Sequence, residues 1–259
     1  MARLTVVVPC YNEAARLDVG PLLAFVDGRP DASLLLVNDG STDATGEVLD
    51  RLARERSGRI AALQLTPNRG KAEAVREGLR AALATGAEIV GFLDADLSTP
   101  PAEIDDLLAA IARPGIHVAI GARVGMLGYD IRRSAVRHYL GRVFATAASM
   151  ILRARVYDTQ CGAKLFRAGA PLTDALAVPF LSRWAFDVEL LGRLLIGTPA
   201  VPPLPLNAIV EVPLPVWHDV EGSKLGFAGM ARTLRDLALV ANDMAARRRT
   251  MHNRENRAS

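Results

Sequence analysis

Short apolar runs alternate with longer segments of mixed polarity along the first half of the chain. The apolar runs predict five strands, at residues 3–8, 33–37, 60–65, 89–93 and 117–120. The segments between them have helical periodicity and begin with residues that cap helices. Regular alternation of strand and helix predicts an α/β fold with a mostly parallel central sheet flanked by helices.

The second half of the chain is less regular. Residues 132–152 carry apolar side chains at helical spacing, with arginines beside them. They predict a helix that covers the sheet, forms a dimer interface, or lies in a membrane interface with arginines at the head groups. Further elements are predicted as a strand after the polar loop at 158, a helix from 183, a strand at 208–212 and a helix over 227–249.

Polar side chains follow the predicted strands directly. In an open α/β sheet, ligands bind outside the carboxyl ends of the strands, so these residues are expected to meet at one edge. Asp94 and Asp96 stand at the end of the fourth strand, and because side chains alternate faces along a strand, both carboxylates are expected to point the same way. Converging carboxylates suit Mg²⁺ or Mn²⁺ carrying a phosphorylated ligand, whereas a polar turn is the alternative interpretation.

Other residues at this edge suit a nucleotide. Tyr11 offers a stacking face and Glu13 an acceptor for a sugar hydroxyl. Asp39 can accept a base N–H, and Lys71 follows Gly70 at a helix start, where free N–H groups bind phosphate. Each also has an ordinary explanation as a cap, a turn or a solvated charge.

Arginines follow the fifth predicted strand. Arg123, Arg132 and Arg133 lie around a glycine-rich segment, and guanidinium forks suit phosphate oxygens. Taken singly, each arginine is better explained as a surface charge.

Composition narrows the class of protein. The chain has 259 residues, of which 50% are hydrophobic and 23% charged, as expected for a folded α/β protein. A net charge of +3 is compatible with an anionic ligand or a membrane surface but too weak to indicate nucleic acid. Two cysteines without metal-ligand spacing favour the cytoplasm. No signal peptide or membrane-spanning run is visible, so membrane contact is expected to be peripheral at most.

In combination, these motifs resemble family-2 inverting glycosyltransferases of the GT-A fold. The motifs are Val-Val-Val-Pro-Cys-Tyr-Asn-Glu (6–13), Val-Asn-Asp-Gly-Ser-Thr-Asp-Ala-Thr (37–45), Asn-Arg-Gly-Lys (68–71) and Asp-Ala-Asp (94–96). Three later motifs resemble the dolichyl-phosphate β-glucosyltransferase branch, with dolichyl-phosphate mannose synthases as the next relatives. They are Asp-Thr-Gln-Cys-Gly-Ala-Lys-Leu-Phe (158–166), Arg-Trp-Ala-Phe-Asp-Val-Glu-Leu-Leu (183–191) and Val-Glu-Gly-Ser-Lys-Leu (220–225).

The resemblance implies a role for each candidate residue. The nucleoside would be held by Pro9, Tyr11 and Glu13, and its base by Asp39. Asp94 would lie by the ribose and the metal, and Asp96 would bind the metal that bridges the diphosphate. Phosphates would be handled by Arg123 and by Arg132 or Arg133. Asp187 would be the base that faces the acceptor, and the remaining residues lining the nucleotide-sugar site would be Lys71, Gln160 and Lys164.

The resemblance also implies a domain plan and a reaction. One domain is expected over residues 1–245, with a nucleotide-sugar-binding half (1–122) and an acceptor-side half containing C-terminal helices (123–245). A basic tail, residues 246–259, is expected to be disordered. The implied enzyme uses Mg²⁺ or Mn²⁺ to move a hexose from a nucleotide-diphosphate sugar to a polyprenyl or dolichyl phosphate, with UDP-glucose favoured over GDP-mannose.

Alternatives to this reaction stay open. Ser98 stands where lipid-linked mannose synthases often carry a glutamine ligand, so water is expected to complete the metal's coordination. The membrane-spanning segment common in the eukaryotic glucosyl enzymes is absent, which keeps a soluble hydroxyl acceptor, with Asp187 as base, as an alternative. A nucleotide-sugar-binding protein without transfer activity is the non-enzymatic alternative. A dehydrogenase is disfavoured because no Gly-x-Gly-x-x-Gly follows a strand.

Overall fold

The computed structural model describes residues 3–132, 135–218 and 227–258, without the side chains of 135–138, 227–234 and 255–258. The described strands are β1 (Leu4–Cys10), β2 (Ala32–Asp39), β3 (Ile60–Leu65), β4 (Ile89–Leu93), β5 (Val118–Ala122), β6 (Asp130–Arg132), β7 (Ala163–Arg167), β8 (Ile209–Pro213) and β9 (Val216–His218). The described α-helices are α1 (Val19–Asp27), α2 (Thr45–Glu55), α3 (Lys71–Ala84), α4 (Ile104–Ile111), α5 (Ala135–Leu152), α6 (Ala170–Ala175), α7 (Phe186–Ile196) and α8 (Phe227–Ala258).

The central sheet has seven strands in the order β3-β2-β1-β4-β7-β5-β8. Strands β1 to β4 pair in parallel, as do β5 and β8, whereas β7 runs antiparallel between β4 and β5. The sequence prediction of a mostly parallel sheet flanked by helices is therefore confirmed. A separate two-stranded sheet joins β6 to β9 in parallel.

Both faces of the sheet are buried, which explains why its strands are continuous apolar runs. Along β1, Val6 and Val8 face one core, formed with α1, α2 and α4, whereas Val7 faces a second core, formed with α3, α5, α7 and α8. Alternate residues of a strand point to opposite faces, so one apolar run supplies both cores. Helices α1, α2 and α4 cover one face of the sheet, and the other α-helices cover the opposite face; the loops that start α1 to α4 lie at the carboxyl edge of the sheet.

Two sequence predictions about the second half differ from the structure. The helix predicted to start at residue 132 is α5, which starts at Ala135. Arg132 is instead the last residue of strand β6. The tail predicted to be disordered belongs to α8, which continues to Ala258. The helix continues because its last third has partners: Arg248 donates to the backbone oxygen of Ile151 at 2.7 Å, and Met251 packs against the core.

No helix in the described ranges combines the length and the hydropathy needed to cross a bilayer.

Candidate active site

The loops that follow the carboxyl ends of β1 and β2 are joined by hydrogen bonds. The backbone N–H of Asn12 donates to Ser41 Oγ at 3.0 Å, and the Asn12 side-chain oxygen accepts from the Thr42 N–H at 2.9 Å. Asn12 has a φ of 54°, a left-handed conformation that asparagine tolerates better than most residues. These bonds hold the loop rigidly and leave the Tyr11 side chain 46% exposed at the edge of the sheet.

Glu13, predicted from the sequence to accept from a sugar hydroxyl, lies in the same loop and is paired with Arg16. Its carboxylate is buried and accepts from Arg16 at 2.5 and 2.6 Å, while its own N–H donates to Thr45 Oγ1 at 2.8 Å. Pro9 lies within β1, opposite Val37 of β2. The geometry therefore gives Glu13 a part in the loop's structure, and Tyr11 presents the exposed face.

Asp39, the last residue of β2, organises the start of α3. Its buried carboxylate accepts from the Asn68 amide at 2.9 Å and from the N–H groups of Arg69 and Gly70, each at 2.8 Å. Gly70 has a φ of 92°, which glycine adopts without strain. Burial raises the pKa of Asp39, and the two backbone donors oppose that shift. The result is a fixed loop that places Lys71 at the first position of α3.

Lys71 and Asp94 form an ion pair at the centre of this edge. The Lys71 Nζ lies 2.6 Å from Oδ1 and 2.7 Å from Oδ2 of Asp94. Burial alone would lower the pKa of Lys71, but the carboxylates of Asp94, Asp187 and Asp96 hold that pKa above its ordinary value. Residues that the sequence predicted for the site are thus brought together here: the Lys71 ammonium lies among three carboxylates, two from the turn after β4 and one from α7.

Asp96 is exposed, unlike Asp94. The sequence argument that both residues lie on a strand is wrong, because β4 ends at Leu93 and the Leu97 N–H donates to the Asp94 oxygen across a turn. Asp96 Oδ1 accepts only the Ser98 N–H, at 3.0 Å, within the described part of the chain. Leu97 has a φ of 50°, a strained conformation for a leucine and of the kind that clusters at functional sites.

The backbone just before β7 approaches the Asp94 carboxylate closely. The Asp94 N–H donates to the Gly162 oxygen at 3.0 Å, and a Cβ added at Gly162 would lie 2.3 Å from the carboxylate. Only glycine leaves room for Asp94 at this position.

The residues present fit a divalent metal bound together with a diphosphate. Asp94 Oδ1 is buried and, despite its closeness to Lys71, has no well-aligned hydrogen bond among the described residues. No set of three or more histidine, cysteine or acidic side chains with metal-binding geometry occurs in the described ranges. Mg²⁺ is commonly held by one or two carboxylates plus waters and substrate phosphates, which two aspartates can supply.

A second, buried ion pair lies behind the first. Lys164 Nζ is 2.6 Å from Asp187 Oδ1 and donates to the Cys161 oxygen at 2.6 Å, and it lies over the Phe92 ring. The Gln160 amide is 3.4 Å from the other oxygen of Asp187. Burial raises the pKa of Asp187, and the nearby Lys164 and Lys71 oppose that shift. Asp187 is therefore a buried, paired carboxylate in the first turn of α7.

Arg123 forms an ion pair with Asp158, which the sequence did not indicate as its partner. Its guanidinium donates to both oxygens of Asp158, at 2.6 and 2.8 Å, and lies over the Trp217 ring. Burial alone would lower the pKa of Arg123, but the Asp158 carboxylate holds that pKa well above its usual range. Glu211 of β8 fixes the Asp158 turn by accepting the N–H groups of Tyr157 and Asp158. Asp158 lies in a motif noted above, but a lone carboxylate 35 residues from its arginine gives no sequence signal of pairing.

Arg132 lies at the rim of the site. Its side chain is 72% exposed and donates to both oxygens of Asp130, at 3.0 and 3.1 Å. His218 Nε2 is 2.7 Å from Asp130 Oδ2, and the His218 N–H donates to the Ser98 oxygen, which connects β9 to the Asp94–Ser98 turn. Arg133 and the motif at residues 220–225 lie outside the described residues.

Comparison with known proteins agrees with this geometry. Residues 5–170 match the family model for Glycosyl transferase family 2. The dolichyl-phosphate beta-glucosyltransferase of Saccharomyces cerevisiae is 29% identical, over 92% of this chain and 73% of its own length. The enzyme of the same name from Drosophila melanogaster is 34% identical, over 86% of this chain and 69% of its own length.

Solved structures share the fold. Glucosyl-3-phosphoglycerate synthase from Mycobacterium tuberculosis, in complex with Mn²⁺, UDP-glucose and phosphoglyceric acid, superposes with a TM-score of 0.65. The two chains are 21% identical, and the match covers 95% of this chain and 80% of the synthase. Together with the family match, this likeness confirms the GT-A fold.

Proposed function

The chain belongs to glycosyl transferase family 2, and from this premise we propose that it transfers glucose from UDP-glucose to a polyprenyl phosphate with inversion at the sugar. The observation that carries the proposal is the Lys71–Asp94 ion pair beside the exposed Asp96, next to a rigid loop that presents Tyr11. The similarity to dolichyl-phosphate beta-glucosyltransferases supports glucose and a lipid phosphate as the partners.

The nucleoside would bind at the edge formed by β1 and β2. Tyr11 offers its exposed ring for stacking against the base or ribose. The Asp39 carboxylate already accepts three N–H groups, and a carboxylate has about four acceptor positions, so it can accept one base N–H as well. Glu13 would act through the loop rather than by touching the nucleotide, because Arg16 occupies its carboxylate.

The leaving diphosphate would lie between Asp94, Asp96 and Lys71. Asp94 and Asp96 would hold Mg²⁺ or Mn²⁺, which when bound neutralises charge on the diphosphate. Lys71 would exchange part of its pairing with Asp94 for a phosphate oxygen, and its position at the first turn of α3 places free N–H groups beside it. Fixed charges at the point where negative charge develops lower the barrier to departure.

The surroundings of Asp187 favour a phosphate acceptor over an alcohol. A phosphate nucleophile is already an anion and needs no general base, whereas an alcohol does. Asp187 is buried and paired with Lys164, so its carboxylate is poorly placed to take a proton from an alcohol. Lys164 and Asp187 then serve as a fixed dipole behind the diphosphate, and Arg132 at the rim is available to an acceptor phosphate.

A screen of donors against acceptors tests the proposal. Purified protein with Mg²⁺ or Mn²⁺ is given UDP-glucose or GDP-mannose, with a polyprenyl phosphate, with 3-phosphoglycerate, or with neither, and nucleotide diphosphate release is followed. Release from UDP-glucose that requires the polyprenyl phosphate is the expected result. Release that requires 3-phosphoglycerate would favour the soluble-acceptor alternative, and donor binding without release under any condition would favour a binding protein.

A further inference from the structure

Arg183 reaches the loop that Asp39 organises at the start of α3. A Cβ added at Gly70 would lie 3.2 Å from Arg183 Cδ and 3.5 Å from Arg183 Nε, so the arginine side chain lies against this loop. Burial raises the pKa of Asp39, and Arg183 is among the groups that oppose this shift. The guanidinium and the carboxylate therefore lie near each other, at the edge where the nucleoside is proposed to bind.

The side chain of Arg183 is exposed, and its guanidinium forms no hydrogen bond or ion pair with the residues that the structure describes. The backbone on either side of it is fixed by Ser182. Ser182 Oγ accepts the N–H groups of Trp184 and Ala185, at 3.1 and 2.7 Å. The same hydroxyl donates to Asp236 of α8 at 2.7 Å. Arg183 is thus held in place by its neighbours, and its N–H donors are available to a ligand.

We propose that Arg183 and Asp39 together recognise uracil as the base of the donor. The Arg183 guanidinium donates to a ring carbonyl, and the Asp39 carboxylate accepts the N–H beside that carbonyl. Uracil presents an N–H between two carbonyls, which is the complement of a carboxylate next to a guanidinium. The inference rests on the proposed function, in which UDP-glucose is the donor, and it names the residue that selects the base.

Other bases fit this pair less well. Cytosine presents an amino group beside a ring nitrogen acceptor, so that a donor would face the guanidinium and an acceptor the carboxylate. Guanine has a carbonyl beside an N–H, but its amino group adds a second donor. A carboxylate has about four acceptor positions, and Asn68, Arg69 and Gly70 occupy three of them, which leaves room for one N–H. The pair therefore favours uracil.

Calorimetric titration with nucleotides tests the inference without any acceptor. UDP and CDP are titrated, with Mg²⁺ present, into the wild-type protein and into Arg183→Met, which keeps an unbranched stem and removes every donor. We expect the wild type to prefer UDP. Arg183→Met should bind UDP about thirtyfold more weakly, the scale of one hydrogen bond from a charged donor, and should bind CDP no more weakly than the wild type does. Because the measured quantity is a ratio of two affinities, a partly unfolded sample does not imitate the effect.

Arg54→Met is the matched control. Arg54 is an exposed arginine in the last turn of α2, away from the carboxyl edge of the sheet, and its replacement should leave both affinities unchanged. Equal weakening of UDP and CDP by Arg183→Met would assign Arg183 to the diphosphate and overturn the inference. A UDP affinity of Arg183→Met equal to that of the control would also overturn it.

Thio-substituted nucleotides locate the hydrogen bond. Sulfur is a weaker acceptor than a carbonyl oxygen, so UDP analogues that carry 2-thiouracil or 4-thiouracil test the two carbonyls separately. One of the two analogues should bind the wild type more weakly than UDP does, and should bind Arg183→Met as tightly as UDP does. Wild-type affinities for both analogues that equal the affinity for UDP would overturn the inference.

Transfer activity separates this inference from the proposed function. Arg183→Met should raise the KM for UDP-glucose more than it lowers kcat, because binding to the base is the same in the ground state and the transition state. A wild-type protein that selects UDP through Arg183 but transfers no glucose would count against the proposed function alone. Transfer from UDP-glucose by a wild-type protein that binds CDP as tightly as UDP would overturn the inference alone.

Discussion

At the scale of single residues, three pairs of buried, oppositely charged side chains stand out among the described residues. Arg123 with Asp158 and Lys164 with Asp187 lie at the carboxyl edge of the sheet, and Arg193 with Glu189 lies within α7. A buried charge without a partner is costly, so each side chain depends on the other. The sequence indicated Lys164 and Asp187 through their motifs, and Arg123 through its position after the fifth predicted strand. The sequence could not indicate which charged side chains form ion pairs, because partners distant in sequence come into contact only in the folded sheet.

Asp158→Asn tests the value of one pair. Neutralising Asp158 leaves the buried Arg123 guanidinium uncompensated, and we expect the free energy of unfolding to fall by about 3 kcal/mol. Denaturation in urea measures the change. Asp27→Asn, which removes the partner of Arg56 in an exposed pair, is the matched control and should leave the midpoint in place. A loss for Asp158→Asn no larger than for the control would contradict the assignment.

The same pair has a defined pH dependence. Burial alone would raise the pKa of Asp158, but the Arg123 guanidinium holds that pKa below its ordinary value. A carboxyl group whose pKa is lowered by folding stabilises the protein above its unfolded pKa, about 3.9, and loses that contribution as the pH falls through the folded value. The stability difference between wild type and Asp158→Asn should therefore be full at neutral pH and shrink in acid.

The two cysteines provide a second test at this scale. Burial raises the pKa of Cys10 to about 12 and that of Cys161 to about 11, so both thiols stay protonated and inaccessible at mildly alkaline pH. We expect no reaction of the native protein with Ellman's reagent and reaction of both thiols in guanidinium chloride. Prompt reaction of a thiol in the native protein would show that the core around it is open.

At the scale of elements, the strands of the parallel sheet were predictable from the sequence, whereas the small sheet formed by β6 and β9 was not. The five predicted strands correspond to β1–β5, because long apolar runs bounded by turns are a strong signal. β6 and β9 each have three residues, too few for a pattern. The end of α8 was missed because its basic composition resembles that of a solvated tail, and only the contacts of Arg248 and Met251 reveal its packing.

Two truncations test the end of α8. Ending the chain after Ala246 removes Arg248 and Met251, and we expect a loss of about 2 kcal/mol in the free energy of unfolding from one charge-assisted hydrogen bond and some apolar burial. Ending it after Arg254 keeps both contacts and should change little. Urea denaturation distinguishes them, and equal stability of the two truncated chains would support the disordered tail instead.

At the scale of the whole molecule, the fold brings distant motifs to one edge. The turn after β4 and the first turn of α7 bring their carboxylates to Lys71 at the start of α3, and the loops after β1 and β2 lie at the same edge, as expected for an open α/β sheet. The edge itself was predictable from the sequence. The different exposure of Asp94 and Asp96 was not, because it depends on a turn and on the close approach of Gly162.

Asp96→Asn tests the proposed metal site without disturbing the core. Asp96 is exposed and accepts a single backbone hydrogen bond, so the variant should fold normally. We expect transfer to fall by about a hundredfold or more, the scale seen when one electrostatic group is removed from an active site. Asp106→Asn, at an exposed carboxylate on α4, is the control and should keep full activity. Turnover by Asp96→Asn at the control's rate would refute the metal-site assignment.

The most direct test of the central claim is the identity of the product. Wild-type protein is incubated with UDP-glucose, Mg²⁺ and a polyprenyl phosphate, and the lipid fraction is examined by proton and phosphorus NMR. We expect glucose joined to the lipid phosphate in the β configuration, inverted relative to the α-linked donor. UDP released without lipid-linked glucose, or glucose found in the α configuration, would contradict it.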